Sequence, residues 1–245
     1  MTRYDLHVHT HYSDGVDSPE EIIRHAEKIG LAGIAITDHD TFEGLHKAME
    51  IETDLMIIPG IEVSTCDGHI LAYGLTEGEI EMGLTPQETV DIIHRMGGIA
   101  VPAHPFDIIR LGIKKKIYQI DSDAIESING CCTAPLWNKK ARKAAIKMDL
   151  PMTAGSDGHC TEEIGIAWTE FLYEPHDWQD VISMILRKES IPKGKTHCVI
   201  ASKIHRVIKG IRKRKERPVP RKFIWYPKRK EKSQEKQPEQ EEQDY

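Results

Sequence analysis

The sequence predicts a parallel α/β barrel over about the first four-fifths of the chain. Short apolar runs, typical of buried strands, alternate with amphipathic segments typical of helices, in about seven strand–helix units joined by short connections. A histidine or a carboxylate follows several of the apolar runs directly. Ligand-type side chains at the carboxyl ends of many strands are typical of the catalytic face of a parallel barrel.

Local patterns predict the individual elements in chain order. Apolar and polar residues alternate over Tyr4 to Val8, which predicts the first strand. Ser18, Pro19 and Glu21 form a capping box that begins a helix ending near Gly30, and a second capping box begins at Thr85. Further strands are predicted at 31–37, 55–65, 70–74, 99–103, 124–128, near 152 and at 166–172, and further helices at 41–52, 85–96, 135–148 and 178–187.

The first strand carries the clearest functional pattern. His7 and His9 are two residues apart, so in a strand their side chains share one face and can bind one metal ion. Asp14 follows in a Ser-Asp-Gly turn and adds a carboxylate oxygen. An isolated His-x-His pair is commonly structural or exposed, but this pair is accompanied by later residues of the same kind. These are His39, flanked by Asp38 and Asp40, then Glu62, His69, His104, Asp157 and His159.

Together these stretches resemble the PHP domain family, named for polymerase and histidinol phosphatase. They follow the family's order and cover about the first two-thirds of the chain, which makes the match more specific than any single short motif. The resemblance implies a distorted (β/α)7 TIM-like barrel of the PHP type over residues 1–198. The matching stretches are His7-Val8-His9, Ser13-Asp14-Gly15, Thr37-Asp38-His39-Asp40, Gly60-Ile61-Glu62, His69, Ala103-His104-Pro105 and Ser156-Asp157-Gly158-His159.

The resemblance also implies three metal sites, which share nine ligands. Mixed imidazole and carboxylate ligands suit Mn²⁺, Zn²⁺ or Fe²⁺, and the sequence does not choose among these ions. Glu62 would bridge the first two sites. The implied sets are His7, His9, Glu62 and Asp157 for the first site, Glu62, His69 and His104 for the second, and Asp14, His39 and His159 for the third.

Such a cluster supports hydrolysis of phosphate esters by a metal-bridging hydroxide, without a protein nucleophile. The predicted catalytic residues are Glu62, Asp157 and His104, with Arg110 in the following loop as a phosphate contact, because guanidinium matches phosphate bidentately. Asp38 and Asp40 either orient the imidazoles or cap the following helix.

The predicted activity is a metal-dependent phosphoric ester hydrolase acting on small nucleotides or on RNA or DNA ends, as a phosphatase or a 5′–3′ exonuclease. Two alternatives remain open. One is histidinol-phosphate phosphatase, which belongs to the same family. The other is a non-catalytic nucleic-acid-binding subunit that uses the barrel as a scaffold, although all nine ligand positions hold competent side chains.

Composition and sequence patterns indicate in which cellular compartment the protein is expected. The 245 residues include five cysteines without zinc-ribbon spacing, so no disulfide framework is predicted. No apolar run approaches the length of a membrane span, and the N-terminus does not have the pattern of a signal peptide. We therefore expect a cytoplasmic protein with no membrane partner, of undetermined oligomeric state.

The C-terminal segment differs from the body in charge. The chain carries −6 overall, with +12 on residues 203–232, −4 on residues 233–245 and therefore −14 on residues 1–202. A basic helix is predicted at 199–211 and a disordered tail at 212–245. The acidic body suits a protein that concentrates divalent cations. Basic residues interleaved with Trp225 and Tyr226 predict RNA or DNA binding, and a solvated extension explains the same composition equally well.

Overall fold

The computed structural model describes residues 2–196 and 199–214. These residues form nine strands and six α-helices, with short 3₁₀ turns at Lys114–Gln119 and Thr161–Glu163. In chain order the elements are β1 (Arg3–Val8), α1 (Pro19–Lys28), β2 (Gly33–Ile36), α2 (Glu43–Met49), β3 (Met56–Ser64), β4 (His69–Tyr73), α3 (Pro86–Arg95), β5 (Ile99–Pro102), β6 (Ile125–Asn129), α4 (Pro135–Met148), β7 (Met152–Gly155), β8 (Ala167–Phe171), α5 (Trp178–Leu186), β9 (Ser190–Gly194) and α6 (Val199–Arg214).

Seven of these strands form one sheet, in the order β5-β4-β3-β2-β1-β8-β9, while β6 and β7 pair with each other. The predicted α/β class and TIM-like type are confirmed, in the form of a curled half-barrel. The expectation of a uniformly parallel barrel is wrong, because β4, β5, β8 and β9 join their neighbours antiparallel. Only four residues, 65–68, connect β3 to β4, and a parallel neighbour would need a much longer crossover.

Local sequence signals explain where the helices begin. At the start of α1 the Ser18 hydroxyl accepts a hydrogen bond from the Glu21 N–H, and the Glu21 carboxylate accepts one from the Ser18 N–H at 2.8 Å. The same reciprocal pair forms between Thr85 and Glu88 at α3. Both capping boxes predicted from the sequence are therefore present. Strand β9 was not predicted, because Pro192 and Lys193 interrupt its apolar pattern.

Two apolar clusters cover the two faces of the sheet. The larger cluster packs α1, α2 and α3 on the sheet through buried residues such as Ile22, Leu45 and Ile93. The smaller one joins Tyr4 and Leu6 of β1 to Phe171 of β8 and to residues of α5. Strand β1 lies between β2 and β8, so the histidines at its end lie at the middle of the sheet.

Helix α6 extends three residues beyond the predicted basic helix at 199–211. Lys209 and Lys213 contact the barrel, whereas the apolar side chains of Ile204, Val207, Ile208 and Ile211 are exposed. The predicted tail lies outside the described residues from position 215 onward, as do positions 197 and 198. Among the described residues no helix is long and apolar enough to cross a membrane. The cysteines there are free thiols.

Candidate metal centre

Glu62 of β3 lies at the centre of a cluster of ligand-type side chains. It is fully buried, and its two oxygens lie within 3.5 Å of five imidazole nitrogens. A carboxylate that faces imidazoles on both of its oxygens has the geometry of a bridging metal ligand. Oε2 is 3.1 Å from Nε2 of His7 and of His9 and 3.5 Å from Nε2 of His39, and Oε1 is 3.2 Å from Nδ1 of His69 and from Nε2 of His104.

Asp157 lies against the same group from the opposite side. It follows β7 by two residues, and its Oδ1 is 3.4 Å from Nε2 of His9 and 3.7 Å from Nε2 of His7. Its Oδ2 lies 3.9 Å from Nε2 of His104. The structure thus brings together the residues predicted for the first two sites, with Glu62 between them.

A third group lies toward the solvent. The Asp14 carboxylate is 3.1 Å from Nε2 of His159, 3.7 Å from Nδ1 of His9 and 4.0 Å from Nε2 of His39. His9 therefore lies between this group and the first one, a position that the sequence did not predict. We call Asp14, His39 and His159 the outer cluster, and His7, His9, Glu62, His69, His104 and Asp157 the inner cluster.

Unpartnered polar atoms indicate that these side chains suit metal ions. Several buried ligand atoms have no hydrogen-bond partner among the described residues. Ligand atoms about 2.0–2.2 Å from a tetrahedral ion lie roughly 3.3–3.6 Å from each other, which is close to the spacing found in the cluster. Among the unpartnered atoms, Nδ1 of His9 lies 3.7 Å from Oδ1 of Asp14, and Nδ1 of His69 lies 3.2 Å from Oε1 of Glu62, so these nitrogen and oxygen atoms are placed to bind a shared divalent ion. The unpartnered atoms are Nδ1 of His9, His39, His69 and His104 and Oδ1 of Asp14.

Hydrogen bonds determine which ring nitrogen of two histidines faces the cluster. Nδ1–H of His7 donates to the Glu126 carboxylate at 2.8 Å, which directs Nε2 toward Glu62. Nδ1–H of His159 donates to the backbone carbonyl of Asp157 at 2.8 Å, which directs Nε2 toward Asp14. A carboxylate or carbonyl acceptor behind a ligating imidazole fixes its tautomer and increases its basicity.

Glu126 and Asn129, at opposite ends of β6, are functional residues that the sequence did not assign. Besides binding His7, the Glu126 carboxylate accepts hydrogen bonds from the backbone N–H of His104 at 2.6 Å and from Asn129 at 3.0 Å. The same Asn129 amide donates to Asp157 at 2.9 Å. A carboxylate and an amide in one short buried strand were the available signal, but the sequence does not specify their partners.

Neither predicted role of Asp38 and Asp40 is correct. Asp38 accepts hydrogen bonds from the backbone and hydroxyl of Thr10 and from Ser13, so it holds the loop that leads to Asp14. Asp40 accepts from the backbone N–H of Ser64 at 2.7 Å. Helix α2 has Phe42 at its N-cap, without a side-chain hydrogen bond. Both aspartates therefore support loops and strands near the site.

Arg110 reaches the inner cluster from the loop after β5. Its guanidinium lies 2.8 Å from both carboxylate oxygens of Asp157 and 3.4 Å from the carbonyl oxygen of Cys131. Lys116, from the lysine run of the same loop, pairs with Asp67 instead. The structure thus brings Arg110 to the site, where it offsets part of the negative charge of the carboxylates.

Mutual attraction between carboxylates and imidazoles shifts the pKa of the ligands. Although burial opposes ionisation, nearby histidines hold the pKa of Glu62 well below its usual range, and Arg110 and His7 do the same for Asp157. Burial also opposes protonation of His9, but Asp157 and Glu62 raise its pKa to about 10. In contrast, burial lowers the pKa of His39 to about 3. The carboxylates are therefore ionised, which is the form that binds metal.

Close backbone packing positions the inner ligands. Gly155, the last residue of β7, leaves no space for a side chain, because a Cβ there would lie 2.4 Å from the Cβ of His7. Asp157 then turns into the site with a φ of 55°, in the left-handed region that non-glycine residues seldom adopt. His104 also has a positive φ, of 30°. The site is built on backbone conformations that only a tightly determined fold maintains.

Comparison with family models assigns the chain to a family. The model of the PHP domain matches residues 5–132, which include every residue of the two clusters except Asp157 and His159, together with Arg110 and Glu126. The chain belongs to the PHP domain family. A second model, described as PHP-associated, matches residues 135–190, which include Asp157 and His159.

Several proteins resemble this PHP chain in sequence. An uncharacterized protein of Methanocaldococcus jannaschii is 34% identical over 61% of this chain and 94% of its own length. A phosphoribosyl 1,2-cyclic phosphate 1,2-diphosphodiesterase of Eggerthella lenta is 42% identical over 30% of this chain and 31% of its own. A 5′-3′ exoribonuclease of Haemophilus influenzae is 44% identical over 26% of this chain and 24% of its own. The last two matches cover less than a third of those relatives.

Solved structures share the fold at lower sequence identity. A two-domain protein of Bacteroides vulgatus, which contains a predicted PHP-like metal-dependent phosphoesterase, has a TM-score of 0.66 and 16% identity, covering 84% of this chain and 69% of that one. Endonuclease Q, in complex with a DNA duplex, has a TM-score of 0.59 and 17% identity, covering 75% of this chain and 56% of that one. These structures show the shared fold. The family model and the sequence relatives bear out the predicted class, a metal-dependent phosphoester hydrolase.

Proposed function

We propose that this PHP protein hydrolyses terminal phosphate esters of small nucleotides, or of RNA or DNA ends, at a centre of three divalent metal ions. The observation that carries the proposal is the convergence of imidazoles on both oxygens of Glu62, with Asp157 and the outer cluster adjoining them. The number of convergent donors exceeds what one ion can bind. Mn²⁺, Zn²⁺ and Fe²⁺ all suit these donors.

The proposed ligand sets are those that the family resemblance implies. His7, His9, Glu62 and Asp157 would hold the first ion, and Glu62, His69 and His104 the second. Asp14, His39 and His159 would hold the third, with His9 adjacent. Bound ions of this kind activate water for attack on phosphorus and offset the charge of the phosphate and of the leaving oxygen.

Residues around the ligands would orient them and bind the substrate. Glu126 holds His7 through the Nδ1–H hydrogen bond and His104 through its backbone N–H, so one carboxylate orients a ligand of each inner ion. Arg110, already 2.8 Å from Asp157, would contact the phosphate oxygens bidentately. The phosphate then lies between a guanidinium and the metal ligands.

Exposure of the ligands supports a terminal phosphate as the substrate. The side chains of His7, Glu62 and Asp157 are completely buried, whereas those of Asp14 and His39 are 38% and 23% exposed. Substrate would enter from that more exposed side and reach a recessed inner cluster, which a chain end or a small molecule does most easily. The exoribonuclease relative acts in the 5′-3′ direction, which agrees with a substrate that has an end.

A comparison of linear and circular RNA tests this proposal. We expect a linear 5′-phosphorylated RNA, with added Mn²⁺, to be degraded from its end, and a circle of the same sequence to persist. The matched control is the linear RNA with a 5′-hydroxyl, which should react more slowly if the terminal phosphate is bound. Degradation of the circle at the linear rate would show internal cleavage and contradict the proposal.

A phosphate-release screen with 3′,5′-bisphosphates, mononucleotides and histidinol phosphate separates the remaining alternatives. Release from histidinol phosphate alone would favour the phosphatase of that substrate. Metal-replete protein that binds RNA but releases no phosphate from any compound would favour a non-catalytic binding subunit.

We also propose that the basic tail binds nucleic acid. Residues 215–232 hold eight lysines or arginines together with Trp225 and Tyr226, so phosphate contacts and base stacking would act together. Truncation should follow Arg214, because a cut after Ser202 would also remove the part of α6 that contacts the barrel. We expect weaker, less salt-dependent RNA binding and nearly unchanged turnover of mononucleotides. Unchanged RNA affinity would contradict this role.

A further inference from the structure

Helix α6 presents its cations to two buried carboxylates of the barrel. Arg206 lies 3.2 Å from Glu163, Lys209 lies 2.6 Å from Asp17, and Lys213 pairs with the same aspartate at 2.5 Å. Glu163 and Asp17 are only 2% and 1% exposed. Buried carboxylates are stable in the ionised form only when cations or N–H donors neutralise them.

Glu163 connects Arg206 to a ligand of the outer cluster. One carboxylate oxygen of Glu163 accepts a hydrogen bond from the backbone N–H of His159 at 2.8 Å. The other oxygen faces Arg206. Glu163 therefore links the Arg206 guanidinium to the backbone of His159. The Nε2 atom of that histidine faces Asp14.

Asp17 makes a second connection, to the loop that carries Asp14. Its carboxylate accepts from the backbone N–H of Thr161 at 2.7 Å, and its carbonyl accepts from the N–H of His11 at 2.8 Å. The N–H of Val16 in turn donates to the carbonyl of His159 at 2.7 Å. The loops 10–17 and 157–163 are thereby fastened to each other beneath the outer cluster.

Lys209 contacts both of these loops. Its ammonium group lies 2.6 Å from Asp17, 2.8 Å from the Thr161 hydroxyl and 2.7 Å from Glu162. One side chain of α6 thus joins the segment before α1 to the turn after His159.

We propose that α6 is a positioning element for the third metal ion, with Arg206 and Lys209 holding the loops that carry His159 and Asp14. This inference rests on the proposed three-ion centre. The inner cluster has its own internal supports in Glu126 and Asn129, so α6 acts more strongly on the outer ion than on the inner ions. Arg206 and Lys209 are positioning residues, because they act through Glu163 and Asp17 and do not themselves bind the ion.

The test measures metal binding rather than turnover. The variants are Arg206→Gln and Lys209→Gln, with Arg206→Lys as a rescue and Arg212→Gln as the control, because Arg212 is exposed on the same helix and its replacement removes the same charge. Mn²⁺ is titrated into the full-length protein, and bound ions per chain are counted after dialysis. We expect the weakest of three ions to dissociate about tenfold more readily in Arg206→Gln and Lys209→Gln. Arg206→Lys should partly restore the affinity for this ion, and Arg212→Gln should leave that affinity unchanged.

A purely stabilising role of α6 predicts a different result. It would lower the melting temperature of Arg206→Gln and Lys209→Gln while leaving the affinity for all three ions equal to wild type, and that outcome overturns the inference. Wild-type protein that binds only two ions would contradict the three-ion centre itself, and with it the role of α6. Three ions in wild type with equal affinity in the variants would contradict the role of α6 alone.

Discussion

The inner and outer clusters are built in different ways. In the inner cluster the side chains of Glu62, Asp157 and His7 are fully buried, and two residues of β6 hold two of them through hydrogen bonds: Glu126 holds His7, and Asn129 holds Asp157. In the outer cluster Asp14 is 38% exposed and His39 is 23% exposed. Its loops are held by Asp38 and by residues that α6 contacts.

This difference shows that one site can combine ligands whose positions depend only on the folded barrel with ligands whose positions depend on additional contacts. Buried ligands with internal hydrogen bonds keep their positions as long as the barrel is folded. Ligands on partly exposed loops depend on contacts that can be altered without unfolding the barrel. We therefore expect changes to the inner cluster to abolish activity, and changes to the outer cluster to weaken one ion.

The largest effect should come from Glu62→Gln. The amide is nearly isosteric but carries no charge, so both inner ions lose their shared ligand. We expect the bound metal to fall by about two ions per chain and turnover to fall by more than about 10²-fold, beyond the range for residues that only support ligands. Metal analysis and phosphate release measure the two effects.

The control for this change is Glu50→Gln, which alters an exposed glutamate in the same way. Full metal content and turnover in Glu62→Gln would contradict the bridging role.

A smaller but still large effect is expected from Glu126→Gln. The change weakens the acceptor for His7 and for the backbone N–H of His104, without removing a ligand. We expect metal affinity or turnover to fall by about 10–100-fold. The control is Glu170→Gln, a strand glutamate of β8 that accepts a hydrogen bond from Trp168. An effect equal to that of the control would mean that Glu126 does not orient the inner ligands.

Asp14→Asn should affect the outer cluster and leave the inner cluster intact. The change removes a charged ligand of the outer ion and leaves Glu62 and Asp157 intact. We expect one ion fewer per chain and a loss of turnover of roughly tenfold, measured by metal analysis beside kinetics. Asp54→Asn, at an exposed position, is the control. Loss of all ions in Asp14→Asn would show that the inner cluster cannot bind its ions without the outer cluster.

The smallest expected effect is on the pH dependence of the stability that the ion pair between Lys213 of α6 and Glu21 of α1 contributes. Although partial burial opposes ionisation, Lys213 and Ser18 lower the pKa of Glu21 to about 2 from its ordinary value of 4.5. A lowered pKa means that the ion pair contributes stability above about pH 4.5 and loses it as the pH falls toward 2. The melting temperature of Lys213→Gln should therefore lie below that of wild type at pH 5 to 7, and the gap should shrink below pH 4.5. Arg212→Gln, the control, should show no such gap, and a gap for Lys213→Gln that is constant down to pH 3 would contradict the assignment.

The sequence predicted much of the fold because its signals were local. Capping boxes at Ser18 and Thr85 marked helix starts, and apolar runs marked most strands. Strand pairing is different, since it depends on contacts between distant residues. The antiparallel pairing of β3 with β4 follows from a four-residue connection, yet apolar periodicity alone suggested a parallel barrel.

The sequence identified ligand types but not what surrounds them. The residues predicted as ligands do converge, since they lie near the ends of strands or in the loops that follow those strands. Supporting residues have no such signature. Glu126 and Asp38 are carboxylates in apolar surroundings, and only the fold shows that one orients His7 while the other holds the loop at Thr10.

The position of β1 in the sheet has a consequence for how the protein is made. Strand β1 is synthesised first, but β8, one of its two neighbours, is synthesised more than 150 residues later. Asp5 accepts a hydrogen bond from Ser156, 151 positions away, and that contact lies beside His7. Pairings so distant in sequence form slowly. On the ribosome, His7 and His9 therefore emerge long before Asp157, so the inner cluster is complete only when the barrel is complete.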